Sequence, residues 1–203
     1  MYKKTNIHLS KIMEKFISVF DMFKIGVGPS SSHTLGPWKA ALKCMHQIQI
    51  SAGIQSINAI QIKLYGSLAK TGKGHGTDMA VLMGLLGEDP ITTDTSLILY
   101  KIEAIKKNAI IALNNTEHKI VFNYESNLLF LKDQSLPHHP NALQFIVTIN
   151  GTDKTFTYYS IGGGFIEEDA NASDDEDDSN DSEDEGSADD DNGGFFDDSS
   201  EAF

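Results

Sequence analysis

The chain has 203 residues, 16 basic against 29 acidic, a formal net charge of −13 and one cysteine. That length supports one sizeable domain, a lone thiol excludes a disulfide framework and a self-contained thiolate metal site, and no apolar run reaches the length of a membrane span. The acid is concentrated: 18 acidic residues and no lysine or arginine lie between Glu167 and Phe203, leaving a body with 11 acids against 16 bases, a charge of +5.

The first residues, "MYKKTNIHLSKIMEKFISVF", are basic up to Glu14. Residues 1–15 read as an N-terminal extension; an organelle-targeting role stays open, with the cytoplasm as the expected location. "ISVFDMFKIGVGP" predicts a short helix or an extended segment leading into "GVGPSSSHTLGP", Gly26 to Pro37. Two Gly–Pro boundaries interrupt helix and strand alike, so this stretch reads as a loop. It carries hydroxyls, main-chain donors and one imidazole, which suits an anionic or polar small ligand; a polar turn with capping residues is the alternative.

After Pro37 the apolar residues Trp38, Ala41, Leu42, Met45 and Ile48 fall at helical spacings. Pro37 suits the first helical turn, and Thr34 and Gly36 are capping candidates. Cys44 lies beside the stripe as a packed thiol, and His46 falls near the polar side. "INAIQIKLYGSL" alternates Ile60, Ile62 and Leu64 against Gln61 and Lys63, a strand with one buried face.

Four glycines between Gly66 and Gly76 predict a second loop, "YGSLAKTGKGHGTD", after which Thr77 or Asp78 caps a helix closed by Gly87 and stopped by Pro90. "SLILYKIEAIKKN" predicts a third helix through Ile98, Ile102 and Ile105. The remainder reads as strands, "AIIAL", "KIVFNY", "NLLFL", "QFIVTI" and "KTFTYYSI", the last two joined by the hairpin signal Asn150-Gly151. The expected class is α+β, with helices early and an antiparallel sheet late. "YYSIGGGF" ends the body; its glycines permit an unusual backbone path or a close approach, or else a flexible exit. The tail has too few apolar residues to offset its ordering entropy and reads as disordered over 167–203.

Three segments distant in sequence share one character: "SSSHT" (Ser30, Ser31, Ser32, His33, Thr34), "TGKGHGTD" with Lys73, His75, Thr77 and Asp78, and "LPHHPN" with His138 and His139. Each offers histidine from a glycine- or proline-bounded loop, and Lys73 is expected at the start of a helix, where the dipole favours an anion. Brought together, they would make a pocket able to hold a carboxylate and move a proton. "GSLAKTGKG" fails the phosphate-binding P-loop, because five residues separate Gly66 from Gly72 and Gly74 stands where a hydroxyl would hold magnesium. "GKGHG" fails the dinucleotide fingerprint. A zinc site from His33, His75 and His138 or His139 would need long-range convergence, since no pair has ligand spacing. His8 and His118 read as surface residues.

"FISVFDMFKIGVGPSSSHTLGPWKAA", "YGSLAKTGKGHGTDMAVLMGLLGEDP", "LPHHPNALQF" and "TYYSIGGGFI" together, over Phe16 to Ile166, resemble in order and character the β region of iron–sulfur-dependent L-serine dehydratases (L-serine ammonia-lyases). The resemblance implies a serine dehydratase β-type domain over 16–166, similar to the allosteric substrate-binding domain of some phosphoglycerate dehydrogenases. It implies a lyase of amino-acid catabolism and gluconeogenesis that eliminates water from L-serine, the aminoacrylate hydrolysing to pyruvate and ammonia without pyridoxal phosphate.

In that family a four-iron four-sulfur (4Fe-4S) cluster on a separate α region acts as Lewis acid while a base removes the α-proton. Carried over, the resemblance makes His33 and His75 catalytic candidates. Ser30, Ser31, Ser32, Thr34, Lys73, Thr77, Asp78, His138 and His139 become substrate-binding candidates. Such clusters are held by cysteine thiolates, so no metal is expected in this chain and a cluster-bearing α subunit or domain is the expected partner. Activity is expected only in that combination; a homo-oligomer is compatible, and neither nucleic acid nor membrane is expected. Two other readings stand beside it: a stand-alone binding module for serine or a similar small anion, without catalysis, and a functional acidic tail that engages basic proteins.

Overall fold

The structure, a computed structural model, describes residues 30–169. The N-terminal extension, the "ISVFDMFKIGVGP" segment, His8 and the tail beyond Asp169 lie outside the described residues. Helix α1, Leu35–Ser51, starts at Leu35 rather than after Pro37. Pro37 sits in the first turn, where its missing N–H goes unneeded, so the expected loop ends at Thr34. Thr34 does precede the helix, but its hydroxyl donates to the Ser30 carbonyl at 2.7 Å instead of capping a helical N–H. The expected stripe is buried at Trp38, Ala41, Met45 and Ile48, with Leu42 packed at its edge and Cys44 inside beside it. Side chains of this size contribute roughly 1.5–3 kcal/mol each when removed from water.

Strand β1, Ile57–Tyr65, buries Ile60, Ile62 and Leu64 on one face as the alternation requires. The second glycine-rich loop is instead helix α2, Gly66–His75. Propensity opposes a helix with three glycines; tertiary packing supplies the reason for it. Leu68, Ala69 and Gly72 are buried, and a Cβ at Gly72 would meet Thr77 Cβ at 3.1 Å and a Phe130 ring carbon at 3.2 Å. Gly76, at φ +75, turns the chain into α3, Thr77–Leu85. Thr77 and Asp78 are therefore the first residues of α3 and cap nothing with their side chains; the cap position belongs to Gly76. Eight of the nine residues of α3 are buried, which makes it the central helix of the core. A Cβ at Gly84 would fall 2.5 Å from the Trp38 carbonyl, so glycine is what lets α1 and α3 approach.

Helix α4, Ile98–Asn108, buries Ile98, Ile102 and Ile105 as expected. β2 (Ile110–Ala112) and β3 (Lys119–Val121) form a separate antiparallel pair. "KIVFNY" is strand only to Val121, because the Asn123 side chain accepts from the Glu125 and Ser126 N–H groups and caps the short helix α5, Tyr124–Asn127. β4 (Leu128–Leu131), β5 (Ala142–Ile149), β6 (Thr152–Gly162) and β7 (Phe165–Glu168) join β1 in a five-stranded sheet ordered β4-β1-β5-β6-β7.

The class is α+β as expected, with one parallel pairing, β1 with β4, in an otherwise antiparallel sheet. Asn150 and Gly151, at φ 50 and 85, make the tight β5–β6 turn. The glycine run is an unusual path and a close approach rather than a flexible exit: Gly162, Gly163 and Gly164 all have positive φ, and a Cβ on Gly164 would meet Leu35 Cδ2 at 2.4 Å. The expected boundary between 166 and 167 falls inside β7, where Glu168 pairs with Lys43 and accepts from Gln47.

Candidate functional site

The Ser30–Thr34 turn closes on the Ser30 carbonyl, which accepts from the N–H groups of His33 and Thr34 at 3.1 and 3.0 Å. That closure gathers the hydroxyls around the imidazole. Ser32 Oγ lies 3.1 Å and Ser30 Oγ 3.3 Å from His33 Nδ1, and the two hydroxyl oxygens are 3.1 Å apart. On the other side of the ring, His33 Nε2 lies 3.1 Å from Ser67 Oγ, in the first turn of α2. The His75 ring, from the last turn of α2, stands 4.8 Å from that of His33, tilted by 37°.

His75 Nδ1 lies 2.9 Å from the Thr71 carbonyl. A carbonyl only accepts, so Nδ1 carries the proton and a neutral His75 holds its lone pair on Nε2. Burial and the adjacent His75 ring hold the His33 imidazole below its ordinary range, and a contact to the Ser67 backbone pulls weakly the other way. His33 is thereby biased to the neutral form near neutral pH.

The third segment reaches the same place through its backbone. Gly66 N–H donates to the Gln134 carbonyl at 2.9 Å and Ser67 N–H to the Pro140 carbonyl at 3.2 Å. Gly66 is required there: its φ is +50, and a Cβ would lie 2.2 Å from Pro140 O. Asn141 and Ser160 exchange hydrogen bonds, and Ser160 Oγ donates to the Ser32 carbonyl at 2.8 Å. Ser32, Ser160, Asn141, Pro140 and Ser67 thus form a chain of contacts and short connections binding all three segments.

The histidines of that segment make contacts of their own. His138 is exposed, lies with its ring 4.7 Å from that of Tyr159 and tilted by 58°, and pairs with Glu167 at 2.9 Å. His139 Nδ1 accepts from the Asn141 N–H at 3.0 Å.

The remaining candidates separate by position. Ser31 is half-buried, its carbonyl accepting from Gly36 N–H. Lys73 lies in the last turn of α2 rather than at a helix start, so the dipole there favours its own positive charge and not an anion; its Nζ sits 5.2 Å over the Phe130 ring. Thr77 is fully buried with Oγ1 unpartnered among the described residues. Asp78 Oδ2 accepts a short hydrogen bond from Tyr124 OH, while its Oδ1 has no partner among the described residues. Asp78 is 7 % exposed, which ties it to the α3–α5 contact.

Sequence reading missed Ser67, Asn141 and Ser160. Ser67 follows a glycine that needs positive φ, a readable sign of close approach; Ser160 sits in an ordinary strand run and its partner Ser32 is far away in the chain. A groove of about 570 Å³, lined by Leu86, Tyr100, Lys101, Ile110 and Lys119 among others, shares no residue with the His33 cluster.

An iron–sulfur cluster does not fit these residues. Cys44 is fully buried in the apolar core and burial pushes its thiol well above the usual range. Among the described residues no group of three or more His, Cys, Asp or Glu could hold a metal ion.

Comparison with known proteins supplies the context. A family model described as serine dehydratase beta chain matches residues 18–171. An L-serine dehydratase of Streptomyces coelicolor is 42% identical over 157 residues, covering 76% of this chain and 34% of that protein. L-serine dehydratase 1 of Escherichia coli is 41% identical over 155 residues, covering 75% and 34%, and an L-serine dehydratase of Haemophilus influenzae is 40% identical over 157, covering 76% and 34%. The chain spans about a third of the length of the curated relatives it matches.

Proposed function

Since the chain belongs to the serine dehydratase beta-chain family, we propose that it supplies one wall of a site that converts L-serine to pyruvate and ammonia, completed by an α region borne on another segment or chain. The observation that carries this reading is the His33–His75 pair, two imidazoles in ring contact, with serine hydroxyls at both ring nitrogens of His33. A neutral His75 has an unshared pair on Nε2, and a base in that state can take the α-proton of serine. The electrons of the broken C–H bond form the Cα=Cβ bond as the Cβ–O bond breaks; the departing hydroxide takes up one proton, the equivalent of the one lost from Cα, and leaves as water. The aminoacrylate then tautomerises to an imine, and one water hydrolyses it to pyruvate and ammonia.

Hydroxyls of Ser30 and Ser32 beside His33 offer both donors and acceptors for the substrate carboxylate and hydroxyl. The sequence contains no arginine, so carboxylate recognition by this chain falls to hydroxyls, main-chain N–H groups, lysine and imidazole. The 4Fe-4S cluster expected for the family is assigned to the α region, because the residues of this chain do not fit it; the roles assigned here do not involve it. A cytoplasmic location belongs to the same reading. Among the described residues no helix is long and apolar enough to cross a membrane.

The test is anaerobic co-expression of the full chain with a cysteine-bearing α region, followed by a pyruvate assay with L-serine. Turnover that requires both polypeptides is the expected result. Full activity of the α region alone would overturn the proposal.

A further inference from the structure

His33 is the one described imidazole with hydroxyl oxygens at both ring nitrogens. Ser30 and Ser32, at Nδ1, come from its own turn, and their spacing follows from the closure on the Ser30 carbonyl. Ser67, at Nε2, comes from a different element. Its position is set independently of the turn: the Ser67 N–H is tied to Pro140 O, and Gly66 before it is tied to Gln134 O in a conformation that needs glycine. The Ser67 hydroxyl has His33 as its side-chain partner among the described residues.

An imidazole ring held only at Nδ1 can swing about that edge; a second contact at Nε2 fixes the ring plane. The plane matters because the His75 ring lies against it at 4.8 Å. We propose that Ser67 is a positioning residue for His33: its hydroxyl, anchored on a separate element, locks the imidazole plane against His75. The proposal rests on the dehydratase reading for its consequence in turnover but not for its consequence at the ring. Ser67 is half-buried at a helix N-terminal turn, so alanine keeps the fold while deleting the hydroxyl, and threonine restores it.

The experiment has two arms. In the first, imidazole nitrogen spectra of the full chain, with His33 assigned by its loss in His33→Gln, are followed through pH for wild type, Ser67→Ala and Ser67→Thr. Ser67→Ala is expected to shift the His33 nitrogen resonances and its titration midpoint, with Ser67→Thr close to wild type. In the second, the assembled complex of Ser67→Ala loses roughly tenfold or more in kcat with little change in KM, and threonine recovers most of it. A His33 spectrum indifferent to Ser67→Ala overturns the proposal, as does a loss of rate that threonine fails to rescue. A wild-type complex without turnover would sink the dehydratase reading and leave the spectra to decide on Ser67.

Discussion

A Cβ built on Gly36 would fall 1.9 Å from the hydroxyl oxygen of Ser160, so helix α1 and strand β6 touch at a point where only hydrogen fits. The same Ser160 hydroxyl donates to the Ser32 carbonyl. Closeness of helix and strand and placement of the serine turn are therefore one event.

Gly36→Ala consequently destabilises the chain by about 1–3 kcal/mol, the range for overpacking a buried contact. It also loosens the Ser30–Thr34 turn. The clashing atoms are the Ser160 hydroxyl and Cβ, so adding Ser160→Gly recovers part of the loss. Denaturant midpoints of the two single variants and the pair test this: simple additivity would show that the two residues do not share a contact.

Replacing His75 removes the imidazole whose neutral form keeps its lone pair on Nε2, and replacing His33 removes the ring it rests on. In the assembled complex, His75→Gln is expected to lower kcat by about 10²–10⁴-fold, the usual worth of a positioned base. His33→Ala should also collapse turnover while leaving the cluster absorbance of the partner region intact. Steady-state rates read beside that absorbance make the check; near-normal rates in either variant reject its assignment.

How far these roles could be read in advance depends on the range of the forces. The buried faces of α1, β1 and α4 and the β5–β6 hairpin follow from local periodicity and turn chemistry, and they stand where the sequence places them. Helix α2 does not follow. Its glycines argue for a loop, and the case for a helix lies in tertiary packing: Leu68, Ala69 and Gly72 are buried, Gly72 close against Thr77 and Phe130 outside the helix. The His33 turn was legible as a polar cluster, whereas its partners Ser67 and Ser160 are set by Pro140 and Gly36, and no local window contains those pairs. Lys73 and Asp78 are displaced in another way: Lys73 stands in the last turn of α2 rather than at a helix start, and Asp78 is buried against Tyr124.

Acid should destabilise the fold through His33. Burial and the His75 ring depress its folded pKa below the ordinary value of 6.5. The unfolded state then binds more protons over the interval from about 6.5 down to the folded value, and stability falls with falling pH across that interval. At neutral pH this penalty is absent. His33→Gln removes the titrating group, so the slope of unfolding free energy against pH between about 7 and 5 should be shallower in the variant. Chemical denaturation at a series of pH values measures it, and parallel slopes would remove His33 as the cause.

Asp78 is expected to matter for stability. Its Oδ2 accepts from Tyr124 OH and its Oδ1 is already without a partner among the described residues. Tyr124→Phe deletes the donor and leaves a buried carboxylate worse satisfied, a change of roughly 1–3 kcal/mol. Asp78→Asn in the wild-type background keeps an acceptor for Tyr124 and lifts the charge, so it should be milder than Tyr124→Phe; in the Tyr124→Phe background it should recover part of the loss. A carboxylate serving mainly as a substrate contact would behave otherwise: Asp78→Asn would leave the unfolding midpoint unmoved and raise KM. Thermal or denaturant unfolding of the two single variants and the double variant, read beside KM for L-serine in the assembled complex, separates the two roles, because only a structural Asp78 couples its unfolding free energy to Tyr124.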